Sequence, residues 1–134
     1  MIRRLEPNET DLLREVYTWD RDYPAWFQDL ERVAGWPLEQ FLKEAPDRAD
    51  LGVFEDDEFV ALISIIRRDV GIYEGHVWAK RKTKIEHLAS AVSWVVERLI
   101  GDLQMRFGYV WIAKKNRPIK KMCTLSGLRF DGTT

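Results

Sequence analysis

Cysteine is almost absent from this chain: Cys123 stands alone, so no internal disulfide can form and a thiolate-rich zinc site is excluded. The 2 histidines, His76 and His87, sit at no recognised metal-ligand spacing, and no metal is expected. No apolar run approaches the about 20 residues needed to cross a bilayer, and Met1–Pro7 carries nothing resembling a secretion signal. No membrane association is therefore expected, and a reducing, cytoplasmic setting fits the thiol content. A charge excess is missing too. With 21 basic and 22 acidic residues the net charge is −1, so any electrostatic role must be local and a nucleic-acid partner is disfavoured. Neither a repeat nor a linker interrupts the chain. Its 134 residues, 46% of them hydrophobic, read as one domain over 1–134 with a real core.

Short periodic segments fill that length. Ile2–Leu5 reads as a strand, followed by a turn at Pro7-Asn8 and a helix capped by Thr10, with Leu12, Leu13 and Val16 on one face. Aromatic residues then crowd two short helices broken at Pro24 and at Gly35-Trp36-Pro37. Trp19, Trp26, Phe27 and Trp36 fit core and interface packing, and Asp20, Asp22 and Asp29 among them fit the solvated face of a helix.

Leu51–Phe54, the turn Glu55-Asp56-Asp57-Glu58 and Phe59–Ile66 form a hairpin pattern, and Ile72–Ala79 reads as the next strand. Thr83-Lys84-Ile85-Glu86 has capping-box spacing, which predicts a helix from Lys84. Ile85, Leu88, Val92, Val95 and Leu99 repeat at three and four along it, and Gly101 is the expected stop. Tyr109–Ala113 reads as a buried strand. Asn116 then opens a last amphipathic helix, with Ile119, Met122, Cys123 and Leu125 inward, closed by Gly127.

This order, and the spacing Asn116, Ile119, Met122, Cys123, Gly127, Leu128, resembles the final helix of GCN5-related N-acyltransferases (GNAT), Asn-x-x-Ala-x-x-Leu-Tyr-x-x-x-Gly-Phe. The spacing agrees while several identities differ. The resemblance implies an α/β fold, a mixed and mostly antiparallel sheet flanked by helices, whose final strand is missing here because only Leu128–Thr134 follows the motif. An open sheet edge of that kind invites a homo-oligomer or a larger assembly. Within the group, Ala79–Lys82, Tyr109–Ile112 and Gly127–Phe130 resemble short acetyltransferase-like proteins of tailed bacteriophages, internal virion proteins among them.

The resemblance further implies acetyl-CoA as acyl donor and an amine, on a small molecule or a protein, as acceptor. In the family the two early helices border the acceptor cleft, which offers Trp19, Trp26, Phe27 and Trp36 a second reading as its lining and Asp20, Asp22 and Asp29 one as partners of a cationic amine. The donor's pyrophosphate would meet the segment before the central helix, where the family carries glycines. Here that segment is Lys80, Arg81, Lys82, Thr83, Lys84, with no glycine, so binding would rest on charge, with Asn116 nearby on the last helix. Glu86, in the capping-box position, would compete for the same amides. Glu74 lies where the family places its general base, and His76 is a second candidate two residues on, on the same strand face. Cys123 occupies the position of the family's tyrosine acid, which Tyr109 or Tyr73 would otherwise supply. Two functional classes stay open: an N-acetyltransferase using these residues, or a catalytically inactive protein of the same fold acting in assembly, such as a virion component. A nucleic-acid binder resting on Lys80–Lys84 and Lys114–Lys121 is the weakest reading.

Overall fold

A computed structural model describes residues 1–22, 37–80, 83–110 and 121. Strand β1 (Ile2–Arg4) leads into helix α1 (Thr10–Asp22), then helix α2 (Leu38–Lys43) and a 3-10 turn (Ala45–Asp47). Strands β2 (Ala49–Glu55), β3 (Glu58–Asp69) and β4 (Ile72–Ala79) follow, then helix α3 (Ile85–Asp102) and strand β5 (Phe107–Val110). The strands form a 5-stranded sheet in the order β1-β2-β3-β4-β5. All pairings are antiparallel except β4 with β5, which is parallel because α3 intervenes as a crossover. This is the expected mixed, mostly antiparallel sheet. The expected last helix and the question of a missing final strand fall on residues outside those described, as do Arg81, Lys82, Asn116, Cys123, Trp26, Phe27 and Trp36.

Each sheet face buries its own cluster, as the alternation along the strands requires. On one face Val53, Ile63, Tyr73 and Ala79 pack under Leu88, Val92, Val95 and Leu99 of α3, the stripe read from the sequence. On the other, Phe59, Leu62 and Trp78 pack with Leu13, Val16 and Trp19 of α1 and Phe41 of α2. Trp19 belongs to this core, its ring centroid 5.0 Å from that of Phe59. No helix among the described residues is long and apolar enough to cross a membrane.

Three local expectations need correcting. Thr10 is the first residue of α1 rather than its cap; Glu9 precedes it, accepts the Glu6 N–H at 2.7 Å and holds Arg3 through both oxygens. The capping box at Thr83 does not form. The Thr83 hydroxyl instead donates to the Val60 carbonyl of β3 at 3.1 Å, and α3 begins at Ile85 with Lys84 as its cap residue and no side-chain cap bond. A buried carbonyl on the neighbouring strand outcompetes the helix amides for that hydroxyl. Finally, α3 runs past Gly101 to Asp102 and turns at Gln104, whose φ is +52°, while the amides of Leu103 and Met105 converge on the Leu99 carbonyl.

The β2–β3 turn uses Asp56 and Asp57, with φ of +49° and +66°. Two consecutive left-handed residues match the twist of a tight hairpin, and Asp tolerates this better than most residues while Gly tolerates it best. Across the sheet, Asp50 of β2 stands opposite Ser64 of β3, and Ser64 opposite His76 of β4. Asp50 accepts from the Ser64 hydroxyl at 2.6 Å and from Arg48 Nε at 2.8 Å, while Arg48 Nη1 donates to the Phe41 carbonyl at 2.6 Å. This buried group ties α2 to the sheet, and its charges compensate each other only as a pair.

Asp50→Ala should therefore cost about 3–5 kcal/mol by leaving the Arg48 charge buried, against about 1 kcal/mol for Ser64→Ala. Urea unfolding of both variants checks this; equal losses would contradict it. Asp57→Gly should raise stability by about 0.5–1 kcal/mol in the same assay, because the left-handed backbone then carries no side-chain penalty.

Candidate functional site

On the α1/α2 face of the sheet, β4 presents Glu74, His76 and Trp78 in alternation. Period-2 geometry puts the three in a row, with Trp78 anchoring it in the core. The His76 and Trp78 rings stack with centroids 5.7 Å apart and planes 9° apart, which limits how the imidazole can turn.

Beside this row the β3–β4 register skips. Arg67 pairs with Tyr73 and Asp69 with Ile72, leaving Arg68 as the extra residue of a bulge. A bulge re-aims the side chain it carries. Arg68 reaches Glu74 with Nε 3.3 Å from Oε1 and Nη2 3.0 Å from Oε2, a two-pronged grip. Nε2 of His76 lies 2.6 Å from Glu74 Oε2. From the other side Tyr109 of β5, directly opposite Glu74 in the parallel pairing, gives its hydroxyl to the same carboxylate.

Only 7% of Glu74 is exposed. Burial pushes its carboxyl upward, but the hydrogen bonds from Arg68, His76 and Tyr109 outweigh burial and hold it below the ordinary glutamate value. Arg68 is correspondingly raised, first by its bond to Glu74. The Tyr109 hydroxyl is also raised, first by burial and then by donating to Glu74. The site is thus a buried carboxylate kept ionised, a cation and a phenol that stays protonated.

Of the residues singled out from the sequence, Glu74 and His76 come together here, and Tyr109 joins them. Tyr73 does not, because it belongs to the core on the opposite face. Lys80 leaves β4 on the α1 side, with Nζ 3.2 Å from Glu15 and 5.5 Å from the centre of the Trp19 ring. Thr83 is committed to Val60, and Lys84 is exposed at the start of α3. His87 keeps company with Glu55 at 3.1 Å, and among the described residues no group of three or more His, Cys, Asp or Glu is placed to hold a metal. Arg68 was not singled out from the sequence. The available signal was alternation: Leu62, Ser64 and Ile66 share the face of Glu74, and Arg68 continues their spacing.

Among the described residues the parallel β4–β5 pairing covers Ile72↔Phe107 to Gly75↔Val110. Among the described residues a Cβ built on Gly75 would meet Ile65 at 3.8 Å and the Tyr109 carbonyl at 3.9 Å, both ordinary contact distances. The first turn of α3, which follows β4 closely, carries the positive end of the helix dipole and no side-chain cap.

The lowered carboxyl sets the sign of a pH effect. An unfolded chain binds a proton at Glu74 at higher pH than the folded protein does, so the contribution of Glu74 is present above the ordinary glutamate value of 4.5 and is lost as pH falls through the lower folded value. Acid unfolding followed by circular dichroism should therefore be less steep below about pH 4.5 in Glu74→Gln than in the parent; identical acid limbs would contradict the ionised assignment.

No protein-family model matches this sequence, and no curated protein does. Solved structures match it over nearly its whole length. The PaiA N-acetyltransferase of Thermoplasma acidophilum, in complex with coenzyme A, gives a TM-score of 0.76 at 17% identity, covering 100% of this chain and 92% of that one. The Campylobacter jejuni N-acetyltransferase PseH, in complex with acetyl coenzyme A, gives 0.67 at 15% identity, covering 99% and 92%. An acetyltransferase of the GNAT family from Bacillus anthracis gives 0.71 at 14% identity, covering 98% and 80%. At such identities the likeness is one of architecture, and the 5-stranded mixed sheet with its flanking helices is the GNAT fold.

Proposed function

We propose that the chain is an acyl-CoA-dependent N-acetyltransferase, taking its acyl group from acetyl-CoA and delivering it to an amine at the Glu74–His76 row. One observation carries the reading: beside the parallel pairing of β4 with β5, the buried carboxylate of Glu74 meets an imidazole, a half-exposed guanidinium and a phenol. A sheet that served only as scaffold would gain as much from apolar residues at those positions, since burying charge has a desolvation cost that hydrophobic packing avoids.

The residues present fit the donor. The first-turn amides of α3 are not taken by a side-chain cap, so they and the helix dipole can meet phosphate oxygens, with Lys84 adding charge at the cap position. Arg81, Lys82 and Asn116 belong to the same proposal from their sequence positions, and Cys123 stays a candidate proton donor to the departing thiolate. Lys80 is better placed to hold α1 against β4 through Glu15 than to meet phosphate. The exposed Glu86 in the first turn works against an anion, so binding should be weaker than a glycine-rich loop would give. Two of the structural neighbours were solved with coenzyme A or its acetyl form, which supports the choice of donor.

The acceptor is read as a primary amine that arrives as its ammonium ion. A carboxylate held ionised at the site attracts such a cation, and its removal would be felt in acceptor binding. Calorimetric titration with acetyl-CoA and with free CoA tests the donor half. Binding of both is expected, weakened about 10-fold or more when Lys82 and Lys84 are replaced by Glu. Absence of heat at high micromolar ligand would overturn the proposal.

A further inference from the structure

Glu74 cannot take a proton from the substrate while the surroundings described above persist. A carboxylate offers about four lone-pair positions. Arg68 occupies two through Nε and Nη2, His76 Nε2 takes a third at 2.6 Å, and the Tyr109 hydroxyl takes the remaining one. The group is also among the most buried charged residues, whereas the His76 side chain is 16% exposed against 9% for that of Glu74.

We propose that His76, not Glu74, accepts the proton of the incoming amine, and that Glu74 is a positioning residue, itself clamped by Arg68, which fixes the imidazole tautomer. This assignment rests on the acyltransferase reading and divides the labour within it. An ionised carboxylate only accepts, so the hydrogen in the 2.6 Å contact resides on His76 Nε2 and the ring's lone pair is on Nδ1. Stacking on Trp78 holds the ring plane in the same orientation. The arrangement repeats the logic of a base oriented by a buried acid, with Arg68 keeping that acid anionic. A carboxyl held low is too weak a base for an ammonium ion.

The ammonium gives one proton to His76 Nδ1, and the nitrogen lone pair forms the N–C bond to the thioester carbonyl. The C–S bond breaks with its electrons on sulfur, the second nitrogen proton passes to that thiolate, and His76 returns its proton to solvent. Glu74 stays ionised throughout and stabilises the imidazolium across the 2.6 Å contact.

Long-range nitrogen–proton NMR of the histidine rings reads the tautomer directly, and since there are 2 histidines, His87→Gln assigns the signals. The expected result is a neutral His76 protonated on Nε2, with the tautomers mixing in Glu74→Gln. Protonation on Nδ1, or a tautomer unchanged in Glu74→Gln, overturns the inference whether or not any amine is acetylated. With acetyl-CoA and a panel of primary alkylamines, His76→Gln should lower kcat by about 10²–10³-fold at unchanged acetyl-CoA affinity, and Glu74→Gln by about 10-fold. Turnover retained by His76→Gln would overturn it as well. Failure of acetyl-CoA to bind the parent protein would remove the acyltransferase reading instead, leaving the tautomer result standing.

Discussion

A single buried carboxylate sets the terms for the site. Glu74 lies inside the sheet's α1/α2 face, and an unpaired anion there would be costly. Everything around it answers that cost: at a bulge in β3 the half-exposed Arg68 reaches over to the carboxylate, the parallel register brings Tyr109 opposite, and the strand's own alternation supplies His76. Once satisfied, the carboxylate is a fixed negative point, and a fixed negative point orients an imidazole. The chemistry we propose is a consequence of meeting a solvation demand.

The same face shows how the sheet transmits order. Asp50, Ser64 and His76 stand in one cross-strand row, with Arg48 and the Phe41 carbonyl at its far end. The helix α2 is thereby tied to the strand that neighbours the site, and Trp78 joins both by meeting Phe41 edge-on at 5.7 Å and His76 face-on at 5.7 Å. Two polar groups and one aromatic wall thus share a single layer, so loosening α2 should be felt at His76.

Much of this was legible in residue order, because it depends on periodicity. The α3 stripe, the β2–β3 hairpin and the alternation on β4 are local patterns, and Glu74 and His76 fall on one face by counting alone. What counting misses is competition between partners. Thr83 had the spacing of a helix cap, yet the Val60 carbonyl is 23 residues away in sequence and close in space, and it claims the hydroxyl. Lys80 belongs to the basic segment before α3 by sequence, and the structure adds Glu15 of α1 at 3.2 Å from its ammonium. Alternation along β3 places Arg68 on the face of Glu74, but its grip on that carboxylate also involves a register skip that counting does not show. Asn116, Cys123, Arg81 and Lys82 lie outside the described residues, so their place in the site rests on the sequence.

The central claim is that Glu74 is held as an anion by donors rather than poised as an acid or a base. Carbon-13 NMR of the glutamate side-chain carboxyls, with Glu74→Gln as the assignment control, follows that ionisation without reference to any ligand. The account predicts a Glu74 midpoint below the ordinary 4.5, reached only as the fold begins to fail in acid. A midpoint above 4.5, with Glu74 protonated while the sheet is intact, would contradict it.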